Sequence, residues 1–374
     1  MRHNDNTAMT VERLKKDSID LLREMIAIPS PSFEEEKVAA LISSRLFEWG
    51  IPHKLVRGNI VALHPDFSFS KKTLALDAHM DTVSPASTYT RDPFDSGSDT
   101  STVWGLGSND DGGSVVSMIA AFRHFLDKEL PFNLMLILSR EEERSGEDGT
   151  RHLFAPGGPF DCGVEFPMPD WTIVGEPTRM RAATSERGLL VLDGEAHGIS
   201  GHAARGEGVN ALYIAMEDIS RLRSFNFDRH SDVMGDVKLN VTQISAGTAH
   251  NVIPDICKFV VDIRPTEKYD NPEILEMLQR ICKSTLKARN LQNSSSVTFE
   301  KSPLLKTAEA LGIETFSSPT TSDWVRIKGD CIKMGPGDSA RSHKADEYIL
   351  TEEIGNGIDT YIKFIDSFYG NTVE

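Results

Sequence analysis

The sequence predicts an α/β domain with helices on both faces of a mixed sheet, into which a smaller α+β domain is inserted. Three observations carry this. From Val11 to Val174, helix-spaced apolar stripes alternate with short, continuously apolar runs, the pattern of strands covered on both faces. From 182 to 300 the pattern changes to two-residue alternation broken by two amphipathic helices, in the order βαββαβ of a ferredoxin-like unit. A final stretch with Ile354, Ile358, Tyr361, Ile365 and Phe368 at helical spacing returns to the first character. The predicted boundaries are 1–181 with 301–374 for a discontinuous first domain, and 182–300 for the insertion.

Each element has its own signal. Val11 to Ile28 reads as a helix with Leu14, Ile19, Leu22 and Ile26 near one face, stopped by Pro29-Ser30-Pro31. Ser32 and Glu35 have the spacing of a capping box for a second helix, whose stripe is Val38, Ile42, Leu46 and Trp49 and whose end is Gly50. Short strands follow at Asn59–Leu63 and Thr73–Leu76, then a polar loop from Ser84 to Thr102. A helix begins near Gly113, and Leu134–Leu138 and Trp171–Val174 are buried strands. In the insertion, strands are predicted at Gly188–Ala196, Val237–Ile244, Cys257–Ile263 and Ser296–Phe299. Its helices are Asn210–Leu222 and one starting at Asn271-Pro272.

Composition narrows the function. With 374 residues, 39% hydrophobic and 26% charged, the chain is long enough for two globular domains and is not disordered. A formal net charge of −16 argues against a nucleic-acid binder, which needs a basic surface. The four cysteines form no CxxC pair and read as reduced, mostly buried residues of a cytoplasmic protein. The polar start MRHNDNTAMT has no signal-peptide core and reads as a frayed tail.

Five polar segments stand at or near the predicted strand ends. His79-Met80-Asp81 follows Leu74–Leu76, and Gly105–Gly113 carries Asp110 and Asp111. Arg140-Glu141-Glu142-Glu143 follows Leu134–Leu138, Gly175-Glu176-Pro177-Thr178 follows Trp171–Val174, and Gly335–His343 supplies a late histidine. Singly, each has a plain reading as a polar loop, an N-terminal cap or a solvated charge run. Together they suit two divalent cations that share one carboxylate, each with a further carboxylate and one imidazole. That donor set suits zinc, with cobalt or manganese as alternatives.

As a set, HMD at 79–81, GLGSNDDGG at 105–113, EEE at 141–143, GEPT at 175–178, GHAARGEGVNA at 201–211, HNVIPD at 250–255 and GPGDSARSHKADEY at 335–348 resemble a known family. It is that of the co-catalytic zinc amidohydrolases and peptidases, which includes acetylornithine deacetylase, succinyl-diaminopimelate desuccinylase and carboxypeptidase G. The resemblance implies that His79, Asp110 and Glu176 hold one metal and that Asp110, Glu143 and His343 hold the other. It implies that Asp81 orients His79, that Glu142 is the general base, and that the peptide after Asp110 is cis. A register shift of one within the triple glutamate would instead give Glu141 as base and Glu142 as ligand. His202 matches a histidine that reaches a neighbouring active site, so the insertion becomes a lid and dimerisation domain. Arg187, Asn251 and Arg264 match substrate-anchoring positions. The acidic turn departs from the family in lacking the lysine that often follows it.

The expectation is therefore metal-dependent hydrolysis of the amide bond of an N-acyl amino acid by a cytoplasmic homodimer. The resemblance points to N-acetyl- or N-succinyl-ornithine, citrulline, lysine or diaminopimelate, in arginine or lysine biosynthesis. An aminopeptidase or dipeptidase is the alternative within the family. A non-catalytic binding protein is the alternative outside it, against which stand the complete ligand set and a base glutamate that a binding module does not need.

Overall fold

The computed structural model describes residues 10–371. Of the frayed start expected at 1–10, all but Thr10 lies outside the described residues, and Thr10 is instead the N-cap of the first helix, its side chain accepting from Arg13 N–H. The chain divides into two compact units. One comprises residues up to Thr184, Thr298–Phe316 and those from Ser322 onward; the other is Ser185–Val297 with Ser317–Thr321.

In chain order the first unit contributes α1 (Val11–Ile26), α2 (Glu36–Glu48), β1 (His53–Val56), β2 (Asn59–Leu63), β3 (Thr73–His79) and β4 (Thr102–Trp104). Then come α3 (Gly113–Phe125), β5 (Asn133–Ser139), α4 (Thr150–Phe154), α5 (Pro159–Cys162), β6 (Trp171–Val174) and β7 (Ala182–Glu186), in which the unit boundary falls. The second unit follows with β8 (Leu190–His197), β9 (Gly201–His202), α6 (Ala211–Ser224), β10 (Lys238–Ala246), β11 (Val252–Ile253), β12 (Ile256–Arg264), α7 (Asn271–Ile281), β13 (Thr285–Ala288) and β14 (Ser296–Val297). The chain closes with α8 (Pro303–Ala310), β15 (Thr315–Ser318), β16 (Asp330–Lys333), β17 (Tyr348–Leu350) and α9 (Thr351–Asn371).

The central sheet of the first unit is mixed, in the order β1-β2-β5-β3-β6-β16-β7. β5, β3, β6 and β16 run parallel, while β1, β2 and β7 are antiparallel to their neighbours. Successive residues of the parallel strands serve opposite faces, as strand geometry requires. Leu74, Leu76, Ala78, Leu134, Leu136 and Leu138 join a core with α1, α3 and α9, whereas Ala75, Met135 and Ile137 join another with Leu153, Phe154, Phe160 and Trp324. Each such leucine contributes about 1.5–3 kcal/mol by leaving water, so the parallel strands are held from both faces. Their carboxyl ends all open on one edge, where an α/β sheet gathers its chemistry.

The second unit is a four-stranded antiparallel sheet in the order β10-β12-β8-β13, with α6 and α7. Leu190, Leu192, Phe259, Val261 and Ile263 alternate inward against Ala211, Ala215, Ile274 and Leu278.

Three expectations need correction. The fourth strand of the insertion is Thr285–Ala288, paired with β8, and Ser296–Val297 pairs with Ser185 and Glu186 instead. An edge strand needs only one inward apolar residue, here Leu286, so the segment lacks a conspicuous run. Ser32 and Glu35 form no capping box: α2 starts at Glu36 with no side-chain cap, because both side chains are used by the loops beside Asp81 and Glu141. β3 does not end at Leu76 but runs to His79, since Asp77, Ala78 and His79 keep parallel register with Ile137, Leu138 and Ser139. The four cysteines are free thiols, with Cys257 and Cys331 buried, Cys282 partly so and Cys162 exposed.

Candidate metal centre

The groups that face this edge arrive at the ends of parallel strands. His79 closes β3, and the next residue is tied to β5 by Met80 N–H donating to the Ser139 carbonyl at 2.8 Å. The His79 ring is buried. Its Nδ1 lies 2.9 Å from the Asp81 carbonyl oxygen, the geometry of a donated bond that leaves Nε2 as a lone-pair donor, 3.3 Å from Asp110 Oδ1.

Asp110 sits in the tight turn between β4 and α3. Gly107 turns the chain at φ 76°, and the Asp110–Asp111 peptide is cis. Glu347, itself buried, accepts the Asn109 and Asp110 N–H groups on Oε1 at 2.9 and 3.0 Å. Asn109 locks this turn to the loop after β16, accepting from Asp338 N–H at 2.8 Å and donating to the Asp338 carbonyl at 3.1 Å. Glu176 follows β6, where a Cβ at Gly335 would lie 2.6 Å from the Glu176 carbonyl, so only glycine permits this approach.

Glu142 and Glu143 open a short helical turn after β5. Glu141, at φ 62°, points away and is held by Asp148 N–H at 3.0 Å and by the Arg140 guanidinium at 3.2 Å. Glu143 Oε1 meets His343 Nε2 at 2.9 Å, and His343 Nε2 lies 3.7 Å from Asp110 Oδ2. The two oxygens of Asp110 thus face two different imidazoles.

Two donor sets result. His79, Asp110 and Glu176 offer one atom each within 4.8 Å of one another, and so do Asp110, Glu143 and His343. Each set has one imidazole and two carboxylates, with Asp110 common to both, and the donor chemistry fits a pair of divalent cations. The electrostatics agree. Burial, then repulsion from neighbouring acids, pushes the carboxyls of Glu142 and Glu176 well above the ordinary range. The Glu143 carboxylate pushes His343 up to about 9. The effect is not uniform: burial acts on Asp110 too, but the contacts that oppose it, led by the bond to His79, hold that carboxyl below the ordinary range.

Asp81 does more than face His79. Its Oδ1 lies 3.4 Å from His79 Nδ1, but the carboxylate accepts Glu142 N–H and Glu143 N–H at 3.0 and 3.1 Å and the Ser32 hydroxyl at 2.7 Å. It therefore fixes the glutamate turn as well as the histidine.

The remaining predicted residues belong to the second unit. His202 is exposed, and its Nδ1 accepts from Ala204 N–H at 3.2 Å. Asn251 is exposed, with its carbonyl accepting Ala203 N–H at 3.0 Å. Arg264 is paired through both ends of its guanidinium with Asp262 at 2.9 and 3.1 Å. Arg187 is buried and donates to the carbonyls of Asp236 at 2.9 Å, Arg264 at 3.3 Å and Met234. Engaging a substrate carboxylate with either arginine means exchanging these partners.

Several participants had no role at the site in the sequence reading: Glu347, Asp323, Glu35, and the buried Asp77 and Asp111, whose carboxylate oxygens have no hydrogen-bond partner among the described residues. Asp323 accepts the Ser139 hydroxyl at 2.7 Å and the Thr150 hydroxyl, which braces the end of β5. For Asp77 a signal existed, an acid inside an apolar strand two residues before His79. Asp111 and Glu347 lie inside the quoted segments 105–113 and 335–348 but had no role of their own there, Glu35 was read as a helix cap, and only Asp323 lies in an unremarkable polar stretch.

The family model described as Peptidase family M20/M25/M40 matches residues 75–367. A succinyl-diaminopimelate desuccinylase of Stenotrophomonas maltophilia (strain K279a) is 28% identical over 367 residues, covering 90% of this chain and 95% of that protein. An M20 family metallo-carboxypeptidase from Sulfolobus solfataricus superposes with a TM-score of 0.75 at 16% identity, covering 94% of this chain and 99% of that one. A Bacillus subtilis protein described as a dinuclear metal binding peptidase from the M20 family superposes at 0.70 with 17% identity, covering 97% and 99%.

Proposed function

This chain belongs to peptidase family M20/M25/M40, and from that premise we propose that it is a two-metal amidohydrolase that removes the acyl group from an N-acyl amino acid. The observation that carries this is Asp110, whose two carboxylate oxygens are shared between two donor sets with Glu142 beside them. In this reading His79, Asp110 and Glu176 hold one cation, and Asp110, Glu143 and His343 the other. Zinc suits the imidazole and carboxylate donors, with cobalt or manganese able to replace it. When bound, the cations polarise the scissile carbonyl and make water acidic enough to supply hydroxide near neutral pH.

The chain's own groups do the rest. Glu142 takes the proton of the attacking water on its carboxylate and passes it to the departing amine nitrogen. Asp81 holds Glu142 and Glu143 by their N–H groups, so that the base and the ligand beside it keep a fixed separation. Asp81 also keeps the His79 tautomer through its carbonyl. His202, exposed in the second unit, is assigned to the oxyanion of the partner subunit's site, which makes the catalytic unit a homodimer.

The acyl group is assigned as acetyl or succinyl on an amino acid such as ornithine, citrulline, lysine or diaminopimelate. Support for a dicarboxylic acyl group comes from the 28% identical desuccinylase. A steady-state screen with added zinc or cobalt tests this. N-succinyl and N-acetyl amino acids should be cleaved with higher kcat/KM than any dipeptide. A panel in which dipeptides are the better substrates would move the assignment to a peptidase.

A further inference from the structure

The turn after β5 has an unusual task. Of three consecutive glutamates, the first must face inward to the protein while the second and third face the donor sets. The chain does this by placing Glu141 at φ 62° and Ser145 at φ 47°, left-handed positions without a glycine. Local sequence does not favour this, so the surroundings must impose it.

Those surroundings come largely from one distant segment, residues 31–35. Glu35 is 1% exposed. Its Oε1 accepts the Glu141 N–H at 3.1 Å and the Phe33 N–H at 2.8 Å, and its Oε2 accepts from Arg140 Nη2 at 2.8 Å. Arg140 in turn lies 3.2 Å from the Glu141 carboxylate through Nε, while its own N–H donates to Asn59 Oδ1 at 3.1 Å. The Glu141 side chain fills a space that requires Gly146, where a Cβ would fall 2.1 Å from Glu141 Oε2. Three residues earlier, Ser32 reaches the other side of the same turn through Asp81. One loop thus holds the turn at Glu141 directly and at Glu142 and Glu143 through a single intermediary.

We propose that Glu35 is a positioning residue for the reaction: with Arg140 it holds Glu141 turned away, so that Glu142 and Glu143 are delivered to the metal centre. It touches neither substrate nor metal. The inference rests on the assignment of Glu142 as base and Glu143 as ligand made above.

The chemistry of the side chain sets the test. Alanine removes the acceptor for two N–H groups and the partner of Arg140. Glutamine keeps an oxygen for the two N–H groups but loses the charge and turns an amide N–H toward Arg140. The readout is zinc release to a chelator from the loaded protein, together with steady-state kinetics. Wild type should hold two equivalents. Glu35→Ala should hold one of them about 10–100-fold more weakly, the range seen when an outer partner of a ligand is removed. The other equivalent should be retained. The kcat should fall while KM stays within about twofold, because Glu35 does not meet substrate. Glu35→Gln should fall between the two, and the exposed neighbour Glu34→Ala should match wild type.

Where Glu35→Ala does not fold, Glu35→Gln and Arg140→Lys carry the test with the same expected pattern. Folded variants that keep both equivalents and wild-type kcat overturn the inference alone. A wild-type protein that binds fewer than two equivalents overturns the functional reading, and this inference with it.

Discussion

Glu143 and His343 stand 200 residues apart in the chain and meet at 2.9 Å, Oε1 to Nε2. This contact brings together the turn after β5 and the loop that follows β16, and it closes the donor set that also contains Asp110. His343→Ala and Glu143→Gln should each lose one equivalent of metal and leave the set of His79, Asp110 and Glu176 filled. Metal analysis after gel filtration checks this. Retention of both equivalents in either variant would remove that residue from the ligand set.

Asp81→Asn tests the carboxylate that binds both Glu142 N–H and Glu143 N–H. An asparagine offers one oxygen where two are used, so the turn loosens. The expected result is a fall of about 10–100-fold in kcat with weakened metal retention. If only the affinity of the His79 set changed, Asp81 would act on the histidine alone.

Much of this site was legible because the sheet exposes it in sequence. His79, Glu143 and Glu176 each come at or just beyond the end of a buried apolar strand, so strand ends point to them directly. What supports them was not legible. Glu347 accepts the N–H groups of Asn109 and Asp110 from about 240 residues away in sequence, and no local pattern foretells such a bond. Ser32 and Glu35 have the spacing of a helix cap, a common local use, yet tertiary partners claim both side chains. The fourth strand of the insertion was misplaced for a related reason: Thr285–Ala288 buries one leucine at a sheet edge, whereas the Ser- and Thr-rich segment after it has the stronger strand composition.

Asp323 gives a pH-dependent stability prediction. Burial pushes its carboxyl up to about 6, from an ordinary value near 3.8. The folded state therefore holds the proton more tightly than the unfolded chain. Its stabilising contribution is complete below the unfolded value, is lost as pH rises toward about 6, and stays lost above it. Asp323→Asn does not ionise and keeps an acceptor for Ser139 or Thr150. Its melting temperature relative to wild type, measured on metal-free protein, should rise from pH 4 to pH 6 and then level off. A difference independent of pH would contradict the assigned cause.

His202 and the homodimer are tested by mixing two inactive variants, Glu142→Gln and His202→Ala, under conditions that exchange subunits. In a mixed dimer one site joins an intact Glu142 to the partner's intact histidine, so activity should reappear in a minority of sites. Were each histidine to serve its own subunit, every site would carry a lesion and mixing would restore nothing.

The central claim is hydrolysis that depends on two bound metals and on Glu142. The most direct measurement follows turnover of an N-acyl amino acid by wild type and Glu142→Gln, first stripped by chelator and then refilled with zinc. Wild type should lose activity on stripping and recover it near two equivalents. Glu142→Gln should take up the same two equivalents and remain about 10²–10⁴-fold slower. Undiminished turnover by the stripped enzyme, or a Glu142→Gln variant as fast as wild type, would contradict the account.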